Sequence, residues 1–303
     1  MMFKKWIFFL IILFTGTCVS LAKEQAPQES DQQINDFSLA GYGEKGKKTW
    51  ELSGKSADIF TDVVKLKDIT GNLYGDEKIK LTSDKGDFNK AEGKIHLEKN
   101  VVITTETGAK LTTNSLDWDR KKQFVSTKDI VNIERENMIT QALGASGNPS
   151  LKQVNLEKDV TVELKPEVKA NGESSAEDKV VVTCDGPLEV DYEKNIAIFK
   201  NNVKVDRDNS QIYCDIMNIY FLKSGQAKEK EEKPADPSKP AAFMGNTKID
   251  KLVCRGNVRI IRGNNTSYSD EAIYSALDKK ITLSGRPKLI LYSEGLKDAP
   301  LGN

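Results

Sequence analysis

The stretch Asn202-Val203-Lys204-Val205-Asp206 decides the fold class, because two valines alternate with charged residues after a residue that favours turns. Successive side chains of an extended strand point to opposite faces, so the two valines share one face and the lysine and aspartate share the other. Asn257-Val258-Arg259-Ile260 repeats the pattern. Such alternation predicts strands with one apolar and one wetted face, and no comparable helical period is found after the N-terminal segment.

The same pattern recurs along the chain with a period of about 30 residues. The intervals from Ile69 to Val101, on to Ile130, and on to Val160 are 32, 29 and 30 residues. The later, longer intervals contain the polar stretches 165–179 and 224–242, and removing these restores the period. One unit cannot bury its apolar face alone, whereas stacked units can. The sequence therefore predicts an elongated all-β stack, either a β-jelly roll or a β-solenoid.

Composition excludes several function classes. Lysine plus arginine and aspartate plus glutamate number 45 each in 303 residues, so no basic excess attracts nucleic acid. The four cysteines form no Cys-x-x-Cys pair, and His96 is the only histidine, so we expect no metal site. The chain also lacks the glycine-rich loop that binds nucleotide phosphates, and we predict no cofactor and no catalytic residues.

The N-terminus carries an export signal. Residues 1–5 carry positive charge through Lys4 and Lys5, and an unbroken apolar run follows. In all, 17 uncharged residues separate Lys5 from Lys23. Three interpretations stay open: cleavage after Ser20-Leu21-Ala22, retention as a membrane-anchoring helix, or lipidation at Cys18. Each interpretation takes the rest of the chain out of the cytoplasm, and residues 23–33 are expected to form a flexible spacer.

The residues after this segment resemble a known family. The start of the LptC domain is similar to the stretch Trp50-Glu51-Leu52-Ser53-Gly54-Lys55-Ser56-Ala57. A predicted strand at 34–39, just after the export segment, precedes this stretch. Residues 176–295 resemble a pair of LptA-type repeats, with the best matches at 254–260, 270–274 and 283–289. The chain is thus similar, over about 260 residues, to the lipopolysaccharide-transport bridge proteins, the LptC and OstA-like (LptA) family.

The resemblance implies an elongated β-jelly roll of two facing antiparallel sheets with a lipid groove between them. It also implies the ligand lipopolysaccharide, an inner-membrane Lpt ABC transporter, and other jelly-roll partners, both LptA-like and outer-membrane LptD-like. The presence of both parts in one chain departs from the single-domain LptC pattern, which puts in doubt the need for a separate LptA. The expected organisation is a signal-anchor or signal peptide at 1–22, a spacer at 23–33, an LptC-like jelly roll at 34–164, a polar loop at 165–179, an LptA/OstA-like jelly roll at 180–295 with a disordered loop at 224–242, and a tail at 296–303.

The groove candidates are the inward residues of the repeats and three large aromatic residues. β-branched residues on an inward face usually form plain core, so the hypothesis concerns the whole row and not each member. The candidates are Val101, Ile103, Trp118, Val160, Val162, Val203, Val205, Tyr220, Val258, Ile260 and Tyr274.

Unpaired strands at the two ends of the stack are predicted to dock partners by strand addition. The alternative is that lysines such as Lys47, Lys48 and Lys288 merely blunt these edges. The candidate N-terminal residues are Ile34, Phe37, Leu39, Trp50 and Leu52, and the C-terminal ones are Leu289 and Leu291.

Cys184 and Cys214 occupy equivalent places 30 residues apart, each followed by aspartate. Stacked units would bring them together, so a disulfide and two buried thiols are both considered. His96 lies between two apolar residues and is expected on the opposite, exposed face of a strand.

The leading hypothesis is a periplasmic lipopolysaccharide carrier and scaffold that is not an enzyme. The N-terminal segment would attach it to the inner membrane, with a cleaved soluble form as the alternative. One rival is a β-helical polysaccharide-active enzyme, and the other is a purely structural surface β stack with a dry, fully packed interior.

Overall fold

The computed structural model describes residues 30–43, 46–75, 77–164, 179–222 and 249–292. Within these ranges the chain forms only strands and short connections. The strands are β1 (Gln32–Tyr42), β2 (Lys48–Ile59), β3 (Val63–Tyr74), β4 (Lys78–Asn89), β5 (Lys94–Thr105), β6 (Lys110–Asp119), β7 (Phe124–Arg135), β8 (Met138–Gly147), β9 (Gln153–Leu164), β10 (Val180–Cys184), β11 (Leu188–Asp191), β12 (Ile196–Arg207), β13 (Ser210–Phe221), β14 (Ile249–Arg262), β15 (Asn265–Ser275), β16 (Lys280–Ser284) and β17 (Lys288–Ile290).

Each strand pairs antiparallel with the next one along the chain, which makes a single continuous meander. β10 and β11 together fill one place between β9 and β12, because Gly186-Pro187 interrupts the strand. β16 and β17 likewise share the place beside β15. Antiparallel pairing throughout the described residues rules out a β-solenoid, and the all-β jelly-roll prediction is confirmed.

A bend near the middle of the strands folds the ladder into two layers. In β5 the buried residues are Ile95 and Leu97 before the bend and Val101 and Ile103 after it. Between them the chain passes through left-handed backbone, with φ of 65° and 52° at Lys99 and Asn100. Both halves of the strand therefore direct alternate side chains into one shared interior.

We call the two sets of strand halves the first and second layers. The first layer contains residues 101–105, 160–164 and 203–207, together with β10 and β17. The second layer contains residues 94–98, 153–156 and 196–200, together with β11 and β16. The bends join the layers along one long side of the molecule.

The recurring asparagines hold these bends. The Nδ2 atoms of Asn100, Asn202 and Asn257 each donate a hydrogen bond to an aspartate on the preceding strand or strand break, at 2.7, 2.5 and 2.9 Å. Their φ values are 52°, 51° and 48°, a region that asparagine tolerates better than most residues. The asparagines thus lie inside the strands and mark the bends, and do not form turns that precede the strands. The aspartate partners are Asp84, Asp185 and Asp215.

The copy of the repeat predicted at Ile130 is displaced by one residue from the observed inward positions of β7. Ile130 is 56% exposed, whereas Val131 and Ile133 are buried. Asp129 does not have a positive φ, so the bend in β7 is made differently from those at the asparagines.

The interior is continuous across the middle of the chain. Val162 of β9 pairs with Val182 of β10, and Val154 of β9 pairs with Val190 of β11. A single cluster of buried apolar residues extends from Phe37 to Ala272. The two parts of the sequence therefore build one stack in the described residues.

Several sequence predictions lie outside the described residues. These are the N-terminal export segment at 1–22, most of the spacer, the polar stretch up to residue 178, the loop at 224–242 and the tail at 296–303. Among the residues that the structure describes, no helix is long and apolar enough to cross a membrane.

Replacing Asn202 with valine should lower the urea midpoint of unfolding. A β-branched residue in left-handed backbone costs about 1–2 kcal/mol, and the hydrogen bond to Asp185 is also lost. Asn202→Gly loses only the hydrogen bond and should be less destabilised. Equal midpoints for the two variants would contradict the assignment of this position as a strained bend.

His96 lies on the outer face of β5, between the buried residues Ile95 and Leu97, as predicted from the sequence. Its Nδ1 is 2.7 Å from Asp117 Oδ1, and its Nε2 is 3.2 Å from Glu98 Oε1. The hydrogen bond to Asp117 raises the pKa of His96, with a smaller contribution from Glu98 and against some desolvation.

A raised pKa means that the charged imidazole stabilises the fold below the unfolded pKa, and that this stability is lost as pH rises through the folded pKa. The native protein should thus exceed His96→Gln in stability by more at about pH 5 than at about pH 8.5. The side chain is 42% exposed, so the difference should stay below about 1 kcal/mol. Urea midpoints measured across this pH range check the result, and Asp117→Asn should flatten the dependence. Parallel pH curves for the native protein and His96→Gln would refute the assignment.

Candidate functional site

The row of β-branched residues predicted to contact lipid lies on one wall of the interior. Val101, Val160 and Val203 directly follow the bends of β5, β9 and β12 in the first layer. Together with Ile103, Val162, Val205 and Val258 they are at most 5% exposed. The structure therefore brings these residues together, and it places them in a closed core.

The opposite wall of the interior was not part of the predicted row. In β5, β9 and β12 it is formed by residues that precede the bends, and in β11 by residues that follow the break at Gly186-Pro187. The residues Leu97, Leu156, Leu188 and Phe199 of this wall are fully buried. The alternation on this side of each bend or break could have identified them, since it has the same period of two.

The interior becomes more accessible towards the C-terminal end of the stack. Ile260 and Tyr274 face inward but are only partly buried, as are Leu252 and Leu283 beside them. Burial raises the pKa of the Tyr274 hydroxyl. These two candidates are thus half-exposed wall residues at one end.

Tyr220 does not face the interior. Along β13 the buried residues are Met217, Ile219 and Phe221, so the alternate residue Tyr220 projects from the outer face. Its hydroxyl is 3.4 Å from Asn218 Nδ2 on that same face. The prediction that Tyr220 lines a groove is therefore wrong, because an aromatic residue was taken as inward without its parity being checked.

We call the long side opposite the bends the mouth, where the turns of the two layers face each other. First-layer residues such as Gly75 and Glu77 face second-layer residues such as Arg120 and Gln123 across a cavity of about 530 Å³. We call it the mouth cavity. Its apolar lining comes from Trp50, Leu73 and Ile79 of the first layer and Trp118 of the second. Trp118 is the predicted groove residue that lines this cavity, although the side chain is only 4% exposed.

Trp50 owes its position to a neighbouring glycine. Its indole lies across Gly41 of β1, where an added Cβ would lie 1.9 Å from Trp50 Nε1. A side chain at Gly41 would thus displace the indole from the mouth cavity.

Two arginine–aromatic contacts close the mouth. The Arg120 guanidinium of the β6–β7 turn lies 4.2 Å from the ring centroid of Trp50 in the opposite layer. Farther along, Arg135 lies 4.2 Å from the ring centroid of Tyr192 and donates to the Leu151 carbonyl at 3.4 Å. Contacts of this kind contribute about 0.5–2 kcal/mol each. They therefore hold the two layers together at the mouth but are weak enough to be broken.

A packing defect lies behind the second contact. A void of about 20 Å³ is lined by Met138 and Val162 of the first layer and by Leu156 and Leu188 of the second. Atoms that line a small apolar void lack packing contacts on that side. The two layers are therefore packed less closely here.

The charged groups at the mouth cavity differ in whether they have polar partners. Burial acts to raise the pKa of Glu77, but hydrogen bonds from Thr107 at 2.7 and 3.0 Å, helped by Thr105 and the charge of Lys152, bring it below its ordinary value. Burial lowers the pKa of Arg120, and no ion pair offsets this among the described residues. The charged carboxylate is therefore stabilised by hydrogen bonds, whereas the guanidinium has no such partner among the described residues.

The ends of the ladder partly match the predicted docking edges. Within the described residues, β1 pairs only with β2, and its Ile34 and Leu39 are 44% and 53% exposed while Phe37 is buried. Trp50 and Leu52 are not edge residues, because β2 pairs with β1 on one side and β3 on the other. The sequence resemblance located this strand correctly but could not reveal that another strand covers it.

At the other end, β17 carries exposed apolar side chains. Leu289 is 61% exposed and Leu291, just beyond the strand, is 72% exposed. β17 pairs with β15 and with no other strand in the part of the chain that is described. This end of the stack presents an open, apolar edge.

Of the two alternatives for Cys184 and Cys214, the structure agrees with two buried thiols and not with a disulfide. Thr183 of β10 pairs with Lys204 of β12, and Val203 of β12 pairs with Cys214 of β13, so a whole strand separates the two cysteines. All three described cysteines are free and buried. Cys214 instead interacts with Cys254, which raises the pKa of the Cys254 thiol well above its ordinary value, and burial adds to this.

Comparison with known families gives two matches in tandem. Residues 6–165 match the family described as lipopolysaccharide-assembly, LptC-related, and residues 186–294 match the family described as LptA/(LptD N-terminal domain) LPS transport protein. No curated protein matches the chain. The matched families are periplasmic, membrane-associated transport proteins and bind lipopolysaccharide.

The first match covers more than half of the chain and the second covers most of the remainder. The β9–β11 pairing joins the two matched segments into one ladder. The chain therefore belongs to the LptC-related family of lipopolysaccharide-assembly proteins and carries an LptA-like segment in tandem.

Proposed function

We propose that this protein is a non-enzymatic lipopolysaccharide carrier that receives lipopolysaccharide from an inner-membrane ABC transporter and passes it towards the outer membrane. One observation carries the proposal. The LptC-related and LptA-like segments share a single uninterrupted apolar interior, so one chain offers the path that a bridge between membranes needs. The N-terminal segment would attach the carrier to the inner membrane on its periplasmic side.

The acyl chains would enter through the mouth. Its cavity of about 530 Å³ already borders the core residues Leu73, Ile79 and Trp118. Burying an acyl CH₂ contributes about 0.8 kcal/mol, so about three methylenes offset one desolvated cation–π contact worth about 2 kcal/mol. An acyl chain has many more methylenes, and it can therefore displace the contacts of Arg120 and Arg135 with their aromatic partners.

The rival functions fit less well. A β-helical polysaccharide-active enzyme would need parallel coils, and the described strands pair antiparallel. A purely structural stack agrees with the packed interior but gives no reason for a mouth cavity with unpaired cations. The chain's balanced charge also provides no attraction for nucleic acid.

The two edge strands of the ladder would bind the partner proteins. β1 is the proposed docking strand for the transporter, and β17 is the proposed docking strand for the next β-jelly roll, whether LptA-like or outer-membrane LptD-like. Head-to-tail strand addition leaves a free edge at each step, which suits a bridge of several units.

A photo-reactive aliphatic side chain at Val203, Val205 or Val258 should form lipopolysaccharide adducts in cells, because these positions line the first-layer wall. The matched controls are Lys204 and Arg259, each adjacent in sequence and on the outer face, where no adduct is expected. Gel shifts detected with an anti-lipopolysaccharide antibody provide the measurement. Adducts at none of the inward positions would favour the structural stack.

Photo-reactive groups at Lys288 and Leu289 should capture a second jelly-roll protein of the bridge, because β17 offers a free apolar edge. Ile130 is the control, since it is similarly exposed but lies on β7 inside the ladder. Immunoblots for Lpt partners check the outcome. Equal capture at Ile130 and Leu289 would argue against docking by strand addition.

A further inference from the structure

Arg120 is the unusual group at the mouth. It lies in the turn between β6 and β7, 4.2 Å from the ring of Trp50 and 5.7 Å from the ring of Phe88. Arg255, by contrast, donates to Glu271 at 2.8 Å. Among the described residues no carboxylate pairs with the Arg120 guanidinium, and its side chain donates no hydrogen bond. A partly desolvated cation in this state is costly unless another group neutralises it.

The neighbouring groups in the cavity are also hydrogen-bond donors. Lys121 and Lys152 line the same space, and neither forms a salt bridge within the described ranges. The Nε1 of Trp118 is buried and has no acceptor in the part of the chain that is described. Buried indole N–H groups usually find a partner, so this one indicates a missing acceptor.

The acidic residues of the cavity do not balance these cations. Glu77 is buried and its Oε1 accepts both the backbone N–H and the hydroxyl of Thr107. Glu193, at the far side, is 3.4 Å from the Gln153 amide and does not approach Arg120 within salt-bridge distance. The site is therefore rich in donors and cations and poor in available acceptors.

This combination identifies the class of ligand. A guanidinium whose face stacks on an indole keeps its edge free for bidentate binding of a phosphate. The Trp50 indole contacts Arg120 and lies across Gly41, so it offers no face to a sugar ring, and the sugar part of the ligand rests on the proposed carrier function. The cavity volume of about 530 Å³ lies within the usual range for small-molecule sites.

We propose that the mouth cavity binds a sugar phosphate, with Arg120 as the principal phosphate ligand and Lys121, Lys152 and the Trp118 indole as supporting donors. The proposal rests on the carrier function proposed above: the ligand is then the phosphorylated sugar headgroup of the transported lipid, held at the mouth while its acyl chains enter the interior.

The test compares phosphorylated lipid A with its fully dephosphorylated form, using the full-length protein in detergent. Affinity is followed through tryptophan fluorescence, since two of the three tryptophans line the cavity. The native protein should prefer the phosphorylated lipid. Arg120→Gln should lower the ratio of the two affinities about tenfold or more, because loss of the Trp50 contact affects entry of both lipids equally whereas loss of the phosphate ligand affects only the phosphorylated one.

Arg259→Gln is the matched control. Arg259 also stacks on an aromatic ring, at 4.3 Å from the centroid of Tyr213, but it lies outside the mouth cavity. Its variant should bind both lipids as the native protein does. If Arg120→Gln weakens both lipids equally, or if the native protein shows no preference, the phosphate site is overturned while the carrier function stands.

A second arm uses glucosamine 1-phosphate and ¹⁵N NMR signals of Arg120 Nε and Trp118 Nε1. Both signals should shift on titration in the native protein, and unphosphorylated glucosamine should move neither. Shifts without binding of either lipid would assign the site to a free sugar phosphate and overturn both the headgroup assignment and the carrier function. Absence of shifts together with absence of any lipid preference would overturn the site itself.

Discussion

The two layers of this structure depend on bends within the strands, and in β5, β12 and β14 each bend is a short stretch of left-handed backbone. Because Asn100, Asn202 and Asn257 adopt positive φ and bond to an aspartate of the preceding strand or strand break, these strands double over and their two halves share one interior. A flat meander of the same sequence would leave one apolar face in water. The bend converts that exposed face into a core and leaves the opposite side as a mouth.

The same arrangement creates a competition between packing and transport. A row of valines at most 5% exposed stabilises the stack when it is empty, and the same surface would shelter acyl chains when it is loaded. At the mouth the layers are held by two arginine–aromatic contacts, and a small void lies between the layers behind the second of these. A carrier needs such a balance, because an interior that never opens cannot load and one that never closes would expose its apolar walls to water.

Much of the fold was predictable from alternation and from the 30-residue period, since both follow directly from strand geometry. The first-layer wall was found because its residues directly follow Asn or Asp. The second-layer wall and the outward Tyr220 follow from the same alternation, although the repeats themselves point only to residues after Asn or Asp. The covered edge at Trp50 could not be predicted, because strand order depends on pairing between distant residues. The sequence also left a disulfide and two buried thiols open for Cys184 and Cys214, because equal spacing in sequence does not specify how many strands lie between them.

The distance across the mouth tests this account most directly. Nitroxide labels on non-natural side chains at Lys78 of the first layer and Lys122 of the second can be followed by pulsed electron paramagnetic resonance, with Lys78 and Lys110 as a pair within one layer. The account predicts that lipopolysaccharide lengthens the 78–122 distance and leaves the 78–110 distance unchanged. A bound state in which the 78–122 distance stays at its empty value would contradict entry of the lipid between the layers.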